Sequence, residues 1–103
     1  MSGGPSQPKV VGEEWSDDRV KGFLELQPRD ERNPDYHVLR ESYEYMLAGD
    51  YARLVAFFTA AGRDLNALGP DGRTMLDRVS EHAKGAEYAA ILKQAGGKSA
   101  TEL

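Results

Sequence analysis

The two histidines are the residues best suited to metal chemistry in this 103-residue chain, and both fall on predicted helices. His37 and Glu41 stand four residues apart, a spacing that puts an imidazole and a carboxylate on one helical face, where they could hold a metal ion. No third ligand is evident nearby, so we interpret the two residues as a solvated helical pair. A small metal-binding protein that uses His37 and Glu41 stays the alternative.

Residue types of a catalytic triad occur together around Ser80, which has Asp77 and His82 as neighbours in the sequence. Residues two apart on a helix point in different directions, so we expect no triad. His82 instead suits the negative C-terminal end of its helix. The segments 69–74 and 96–99 lack the strand, glycine spacing and helix of a phosphate-binding loop. We therefore predict a protein that is not an enzyme and has no cofactor, with an enzyme that uses His82 as the alternative.

Composition narrows the classes of partner. The chain carries 17 acidic and 13 basic residues, a net charge of −4, and shows no cluster of Lys and Arg of the kind that nucleic acid or an anionic membrane requires. No apolar run approaches the roughly 20 residues that span a bilayer. The absence of cysteine excludes disulfides and thiolate catalysis and fits the cytosol. The N-terminus lacks the apolar centre of a signal peptide, so we expect a cytoplasmic protein that binds neither nucleic acid nor membrane.

Capping residues define the first two predicted helices. Ser16 is a good N-cap for a short helix over about 17–26. Asn33 caps a second helix over 34–48, which begins with a proline whose missing N–H costs nothing at that position. Apolar residues recur along this second helix at the helical spacing.

Three further helices follow. We expect Asp50 to cap the third helix and Gly62 to close it in a left-handed conformation. A fourth helix should follow Thr74 and break at Gly85, and a fifth should stop at Gly96. No stretch alternates apolar and polar residues convincingly, so the predicted fold class is all-α without a sheet.

Length and composition allow one domain. Residues 1–12 are rich in Gly, Pro and Ser and are predicted to be a disordered tail. Residues 13–96 form the single helical domain, and residues 97–103 are predicted to be a flexible C-terminal tail.

The segment 64–74 lies between two amphipathic helical patterns and combines a bend at Asn66, a Pro-Asp-Gly turn and a helix-capping threonine. It resembles the loop that joins one ankyrin repeat to the next. Gly62 and Gly96 lie 34 residues apart, close to the ankyrin period of 33. The resemblance implies two ankyrin-like helix-turn-helix repeats over about residues 36–97. Met and Asp stand where the family usually has Pro and His after the capping threonine.

Ankyrin-like units bury their apolar faces against neighbours, and about three are usually needed for stability, whereas two are visible here. We predict that the N-terminal segment folds back on the first helix pair as a capping helix. Tyr45 is expected to be covered by that segment, and the alternative is that it contacts a partner. A second protein chain is the alternative cap. The residues predicted to form the cap are Trp15, Val20, Phe23, Leu24 and Leu26.

The ankyrin resemblance also implies how the chain would bind. Ligands of such modules meet the loop tips and the exposed side of the inner helices, which implies an adaptor or regulator with an unidentified protein partner. The sequence does not indicate an oligomeric state. The partner-binding candidates are Leu68, Gly69, Pro70, Asp71 and Arg73 on the loop, with Met75, Arg78 and His82 on the following helix.

The whole chain resembles a small uncharacterised family of proteobacterial proteins. The segments that carry this likeness are 11–15, 33–39, 60–67 and 85–88. The likeness implies a bacterial cytosolic protein and implies no activity.

Overall fold

The computed structural model describes residues 14–103, and the predicted disordered tail, residues 1–12, lies outside them. Within the described residues the all-α prediction is confirmed, since the elements are helices and short 3₁₀ turns. The helices are α1 (Asp17–Gly22), α2 (Pro34–Tyr45), α3 (Ala48–Ala60), α4 (Met75–Ser80) and α5 (Ala86–Gln94), and the 3₁₀ turns are Phe23–Glu25, Ala83–Gly85 and Ala100–Glu102.

The predicted capping residues open three of the helices. The side chains of Ser16, Asn33 and Thr74 each accept a hydrogen bond from a backbone N–H in the first turn of α1, α2 and α4. Thr74 forms a reciprocal capping box with Asp77, whose carboxylate accepts from the Thr74 N–H. Gly62 has a φ of +76° after α3, as its predicted left-handed cap requires.

The prediction that Asp50 caps α3 is wrong. The helix begins at Ala48, and the carbonyl of Leu47 accepts from the N–H of Tyr51 at 2.9 Å. Asp50 therefore lies inside the first turn, where its buried carboxylate accepts from Arg53 Nη2 at 3.2 Å. A carboxylate in the first turn also suits the positive end of the helix dipole.

Helix α4 is shorter than the sequence pattern predicts and ends at Ser80. The chain then forms a 3₁₀ turn that passes close to the end of α4. A Cβ built on Gly85 would lie 2.0 Å from the carbonyl oxygen of Val79, so only glycine fits this crossing. The close approach places α5 directly beside α4.

The helices are arranged as two pairs that pack side by side. Helix α2 contacts α3 and α4 contacts α5, while α2 also contacts α4 and α3 also contacts α5. One continuous apolar core therefore joins both pairs. Its largest fully buried side chains include Tyr36, Leu39, Met46, Tyr51, Leu54, Phe58, Met75 and Leu92.

The N-terminal segment packs on the first helix pair, as its apolar pattern predicts. Helix α1 contacts α3, and the 3₁₀ turn that follows it contacts α2. Arg53 on α3 donates to the Asp17 carboxylate at 2.8 Å and to the carbonyl of Trp15. Val20 is fully buried and Trp15 is buried, while Phe23, Leu24 and Leu26 pack against the core in half-buried positions.

The exposure of Tyr45 differs from the prediction that the N-terminal segment covers it. Its side chain is 45% exposed, so the N-terminal segment does not cover it. Its ring approaches that segment at Phe23, with 6.2 Å between the two ring centroids. Tyr45 is the last residue of α2.

The segment 97–103, expected to be a flexible tail, makes defined contacts in the structure. The Thr74 hydroxyl donates to the carbonyl of Lys98 at 2.7 Å, and the Ala100 N–H donates to the Asp77 carboxylate at 2.9 Å. The same two residues that cap α4 therefore also hold the C-terminal segment.

Candidate functional site

The finger loop, residues 68–74, is a short hairpin that projects from between the two helix pairs. The Gly69 N–H donates to the carbonyl of Arg73 at 2.8 Å, and the Gly72 N–H donates back to the carbonyl of Gly69 at 2.9 Å. Gly72 has a φ of +77°, the left-handed conformation that a three-residue hairpin needs after its turn. Pro70 occupies the turn position that favours a fixed φ. The local sequence therefore dictates the shape of the finger loop.

The base of the finger loop is fixed by the four residues that precede it. Asp64 accepts the N–H of Asn66 at 2.9 Å, so the bend predicted at Asn66 is formed by the preceding aspartate. The Asn66 side chain instead accepts the N–H of Lys98 at 2.7 Å, thereby linking two successive loops. Leu65 and Ala67 are buried. The finger loop therefore begins at a segment that hydrogen bonds and burial hold in place.

A concave surface lies between the finger loop and the segment that precedes α2. One hollow of about 670 Å³ opens between these two loops, and a second of about 260 Å³ continues beside the helices. Arg32 and Pro70 line both hollows, so we treat them as one surface, the finger groove. The finger groove is lined by Asp30, Glu31, Arg32, Asn33, Tyr36, Arg40, Leu68, Gly69, Pro70, Asp71 and Arg78.

Two ion pairs lie along the finger groove. Arg32 donates from Nε and Nη2 to the two carboxylate oxygens of Asp30, each at 3.1 Å. These hydrogen bonds from Arg32 lower the pKa of Asp30 below its usual value of 3.8. Arg40 lies 3.3 Å from the carboxylate of Glu41 in a second, half-exposed pair. Exposed pairs of this kind contribute little to stability, so their arginines stay available for a ligand.

Arg78 differs from these two arginines. Within residues 14–103 its guanidinium takes part in no hydrogen bond or ion pair that the structure defines, and its Nε is buried without a hydrogen-bond partner. A buried donor left without an acceptor is costly. Arg78 lines the 260 Å³ hollow together with Arg32 and Arg40. We call this hollow the arginine pocket.

The structure brings together most, though not all, of the predicted contact residues. The finger groove contains five of them, and the large apolar side chain among these, Leu68, is 44% accessible. Arg73 extends to the other side of the loop and pairs with Glu81. The five residues in the groove are Leu68, Gly69, Pro70, Asp71 and Arg78.

Met75 is the one predicted contact residue whose side chain cannot meet a partner, because it is fully buried. It is the first residue of α4, and its side chain points into the core shared by the two helix pairs. We therefore correct its assignment from the binding surface to the core.

His82 lies away from the finger groove, in a separate hollow of about 770 Å³. Its Nδ1 is hydrogen-bonded to the Tyr43 hydroxyl at 2.8 Å, and the two rings are stacked at 16°. Burial raises the pKa of Tyr43, which favours the protonated phenol in this contact. His82 thus connects the end of α4 to α2.

Of the residues considered for metal binding or catalysis, Glu41 and Ser80 form hydrogen bonds with other groups. Glu41 accepts from Arg40, while the Nδ1 of His37 is buried without a hydrogen-bond partner. Ser80 donates its hydroxyl to the carbonyl of Leu76 at 2.7 Å. Among residues 14–103 no group of three or more His, Cys, Asp or Glu side chains lies close enough to hold a metal ion.

Six of the eleven residues that line the finger groove are not predicted from the sequence, namely Asp30, Glu31, Arg32, Asn33, Tyr36 and Arg40. The signal that could have found them is positional. The segment that ends at Asn33, the N-cap of α2, precedes its helix just as the finger loop, which ends at Thr74, the N-cap of α4, precedes its own. Because α2 and α4 pack together, loops in equivalent places must become neighbours.

Comparison with known proteins gives no further assignment. The models of protein families yield no match to this chain, and searches of curated proteins and of solved structures likewise return no significant match. Within the described residues, no helix has the length and apolar character needed to cross a bilayer.

Proposed function

We propose that the chain is a non-enzymatic protein-binding module, an adaptor or regulator, that contacts its partner through the finger groove. The observation that carries this proposal is the position of Leu68. This large apolar side chain is 44% exposed on the rim of a 670 Å³ hollow, on a loop whose backbone is fixed by its own hydrogen bonds. A rigid apolar contact loses little entropy when a partner covers it.

The proposed architecture is a pair of ankyrin-like repeats closed at one end by the N-terminal segment. Side-by-side contact of α2 with α4 and of α3 with α5 supports this arrangement. A repeated link between successive loops also supports it. Asp35 accepts the N–H of Asp64 at 2.8 Å, and Asp77 accepts the N–H of Ala100 at 2.9 Å, so a first-turn carboxylate of α2 and one of α4 each hold the chain that follows the next helix.

Charge favours protein over nucleic acid as the partner. The chain has a net charge of −4, and the finger groove contains Asp30, Glu31 and Asp71 beside its arginines. A run of phosphates along this surface would meet these carboxylates. In keeping with the absence of cysteine and the family resemblance, we propose a bacterial cytoplasmic protein.

The test is affinity capture from a lysate of the source cells with matched variants. Leu68→Asp places a charge on the groove, whereas Ala90→Asp places the same charge on the exposed face of α5. We expect wild type and Ala90→Asp to capture the same protein and Leu68→Asp to lose it. A captured protein that all three variants retain equally would contradict the finger groove as the contact surface.

A further inference from the structure

We propose that the arginine pocket receives the carboxylate of a Glu or Asp side chain presented by a protein partner, an inference that rests on the proposed function. The pocket is defined by Arg32, Arg40 and Arg78, and its volume of about 260 Å³ suits one side chain. Planar guanidinium groups bind carboxylates through charge-assisted hydrogen bonds.

Arg78 supplies the strongest reason. Its Nε is buried and lacks an acceptor among residues 14–103, so a polar donor has lost its hydration without a replacement. Arg78 as a whole is only partly buried and lines the pocket, so a bound carboxylate would pair with the accessible part of its guanidinium beside the buried Nε. The other two arginines line the same pocket, and their present partners, Asp30 and Glu41, are partly exposed and can be exchanged.

The surroundings of the pocket favour a single carboxylate over a chain of phosphates. Asp71 lines the pocket itself, and Asp30 with Glu31 lines the adjoining hollow. A ligand with many negative charges would be repelled by these groups, whereas one carboxylate can reach the arginines between them. RNA is therefore disfavoured.

The adjoining hollow indicates which type of side chain should lie next to the partner's acidic residue. Leu68 is exposed there and Pro70 forms the boundary between the two hollows. An apolar side chain of the partner could pack against Leu68 and Pro70 and be buried there. The carboxylate of the neighbouring partner residue would then enter the arginine pocket. The inferred recognition element is an acidic residue flanked by apolar residues in an extended segment.

The test titrates two blocked peptides into the intact ¹⁵N-labelled chain. One peptide is acetyl-Gly-Leu-Glu-Leu-Gly-amide and the other replaces Glu by Gln. We expect the Glu peptide to shift the Nε–Hε signal of Arg78 and to bind at least about tenfold more tightly, the effect of a charge-assisted hydrogen bond. Equal affinity for the two peptides, or no shift at the pocket, would overturn the inference.

Matched variants separate the pocket from general charge. Arg78→Gln and Arg40→Gln should each reduce the preference for Glu, whereas Lys93→Gln, which removes the same charge from the exposed surface of α5, should leave it unchanged. The preference for Glu over Gln is measured on wild type, so it tests the pocket even if Arg78→Gln fails to fold. An oligouridine that binds the pocket more tightly than the Glu peptide would overturn the protein assignment.

Failure of this inference can be told apart from failure of the proposed function. If Leu68→Asp abolishes capture of a partner from lysate while Arg78→Gln captures it at the wild-type level, the groove binds protein but the pocket assignment is wrong. If Leu68→Asp captures the partner at the wild-type level, the finger groove is not the contact surface and the proposed function is wrong.

Discussion

The ring of Tyr36 lies against the backbone of Gly69, so close that a Cβ built on Gly69 would stand 2.5 Å from the Tyr36 Cζ. Tyr36 is in the first turn of α2 and is almost completely buried, whereas Gly69 begins the turn of the finger loop. This contact holds the finger loop against the first helix pair. Each residue also lines one of the two hollows of the finger groove.

Gly69→Ala should therefore destabilise the protein and displace the finger loop. The added methyl group has no room beside the Tyr36 ring, and overpacking of this kind costs about 1–3 kcal/mol. Thermal or urea unfolding followed by circular dichroism measures the loss. The control is Gly49→Ala, because a Cβ on Gly49 meets nothing within 4 Å and should be neutral or stabilising.

A double variant checks the cause. Tyr36→Leu removes the ring, so the cost of Gly69→Ala should be smaller in the Tyr36→Leu background, with a coupling energy of about 1 kcal/mol. If the two changes add independently, the Tyr36 ring is not what excludes a side chain at position 69.

The buried N-terminal segment should contribute to global stability. Val20 is fully buried, and Val20→Ala removes two methyl groups from a packed site, so we expect a loss of about 1–3 kcal/mol in the free energy of unfolding. Glu25→Ala in the exposed part of the same segment should change this free energy by less than about 0.5 kcal/mol. Urea unfolding of the three proteins gives the comparison.

Deletion of residues 1–28 is the stronger form of this test. It removes the residues that cover the first helix pair, so the remaining chain should melt at a much lower temperature or fail to fold. A truncated chain with the wild-type melting temperature would show that the segment is not a cap.

Asp77 should make the protein sensitive to acid. Its pKa is lowered below the usual 3.8, chiefly by the hydrogen bond from the Ala100 N–H and also by those from Thr74. A lowered folded-state pKa stabilises the fold above the unfolded-state pKa, and this stabilisation is lost as the pH falls through the folded-state value. Between about pH 4 and pH 2, wild type should therefore lose stability more steeply than Asp77→Asn. Parallel pH profiles from urea unfolding would contradict this role.

Asn66 should protect one specific amide in the C-terminal segment. Its Oδ1 accepts from the Lys98 N–H, whereas the Ala100 N–H is bonded to Asp77. In Asn66→Ala, hydrogen exchange at Lys98 should become faster by about fivefold, the effect of losing a hydrogen bond worth about 1 kcal/mol, while Ala100 should remain protected. Equal exchange at Lys98 in both proteins would show that this link is not formed in solution.

Local signals in the sequence predicted the helices well. The hydroxyl and amide caps at Ser16, Asn33 and Thr74 depend only on neighbouring residues, and each opens a helix as expected. The predicted start of α3 at Asp50 is wrong because an aspartate is favourable both as the N-cap of a helix and inside its first turn. A buried contact with Arg53 decides between the two, and the N-terminal segment that holds Arg53 in place is distant in sequence.

Long-range contacts explain the other differences. The C-terminal segment is low in apolar residues, which favours a flexible tail, yet Asn66 and Asp77 hold its backbone from more than 20 residues away. The ankyrin resemblance places Met75 on the exposed side of the inner helix, but the packing of α4 against its neighbours buries its side chain in the core. The finger loop could be predicted because its turn is local, while the opposite wall of the groove depends on how the helix pairs stack.

Site-directed photocross-linking in the source cells tests the central claim most directly. The benzophenone amino acid p-benzoylphenylalanine would replace Leu68 on the finger groove in one strain and Ala90 on the exposed face of α5 in another. We predict a discrete covalent adduct with a second protein from position 68 and none of that adduct from position 90. The same adduct at both positions, or from position 90 alone, would contradict the finger groove as the surface through which this protein acts.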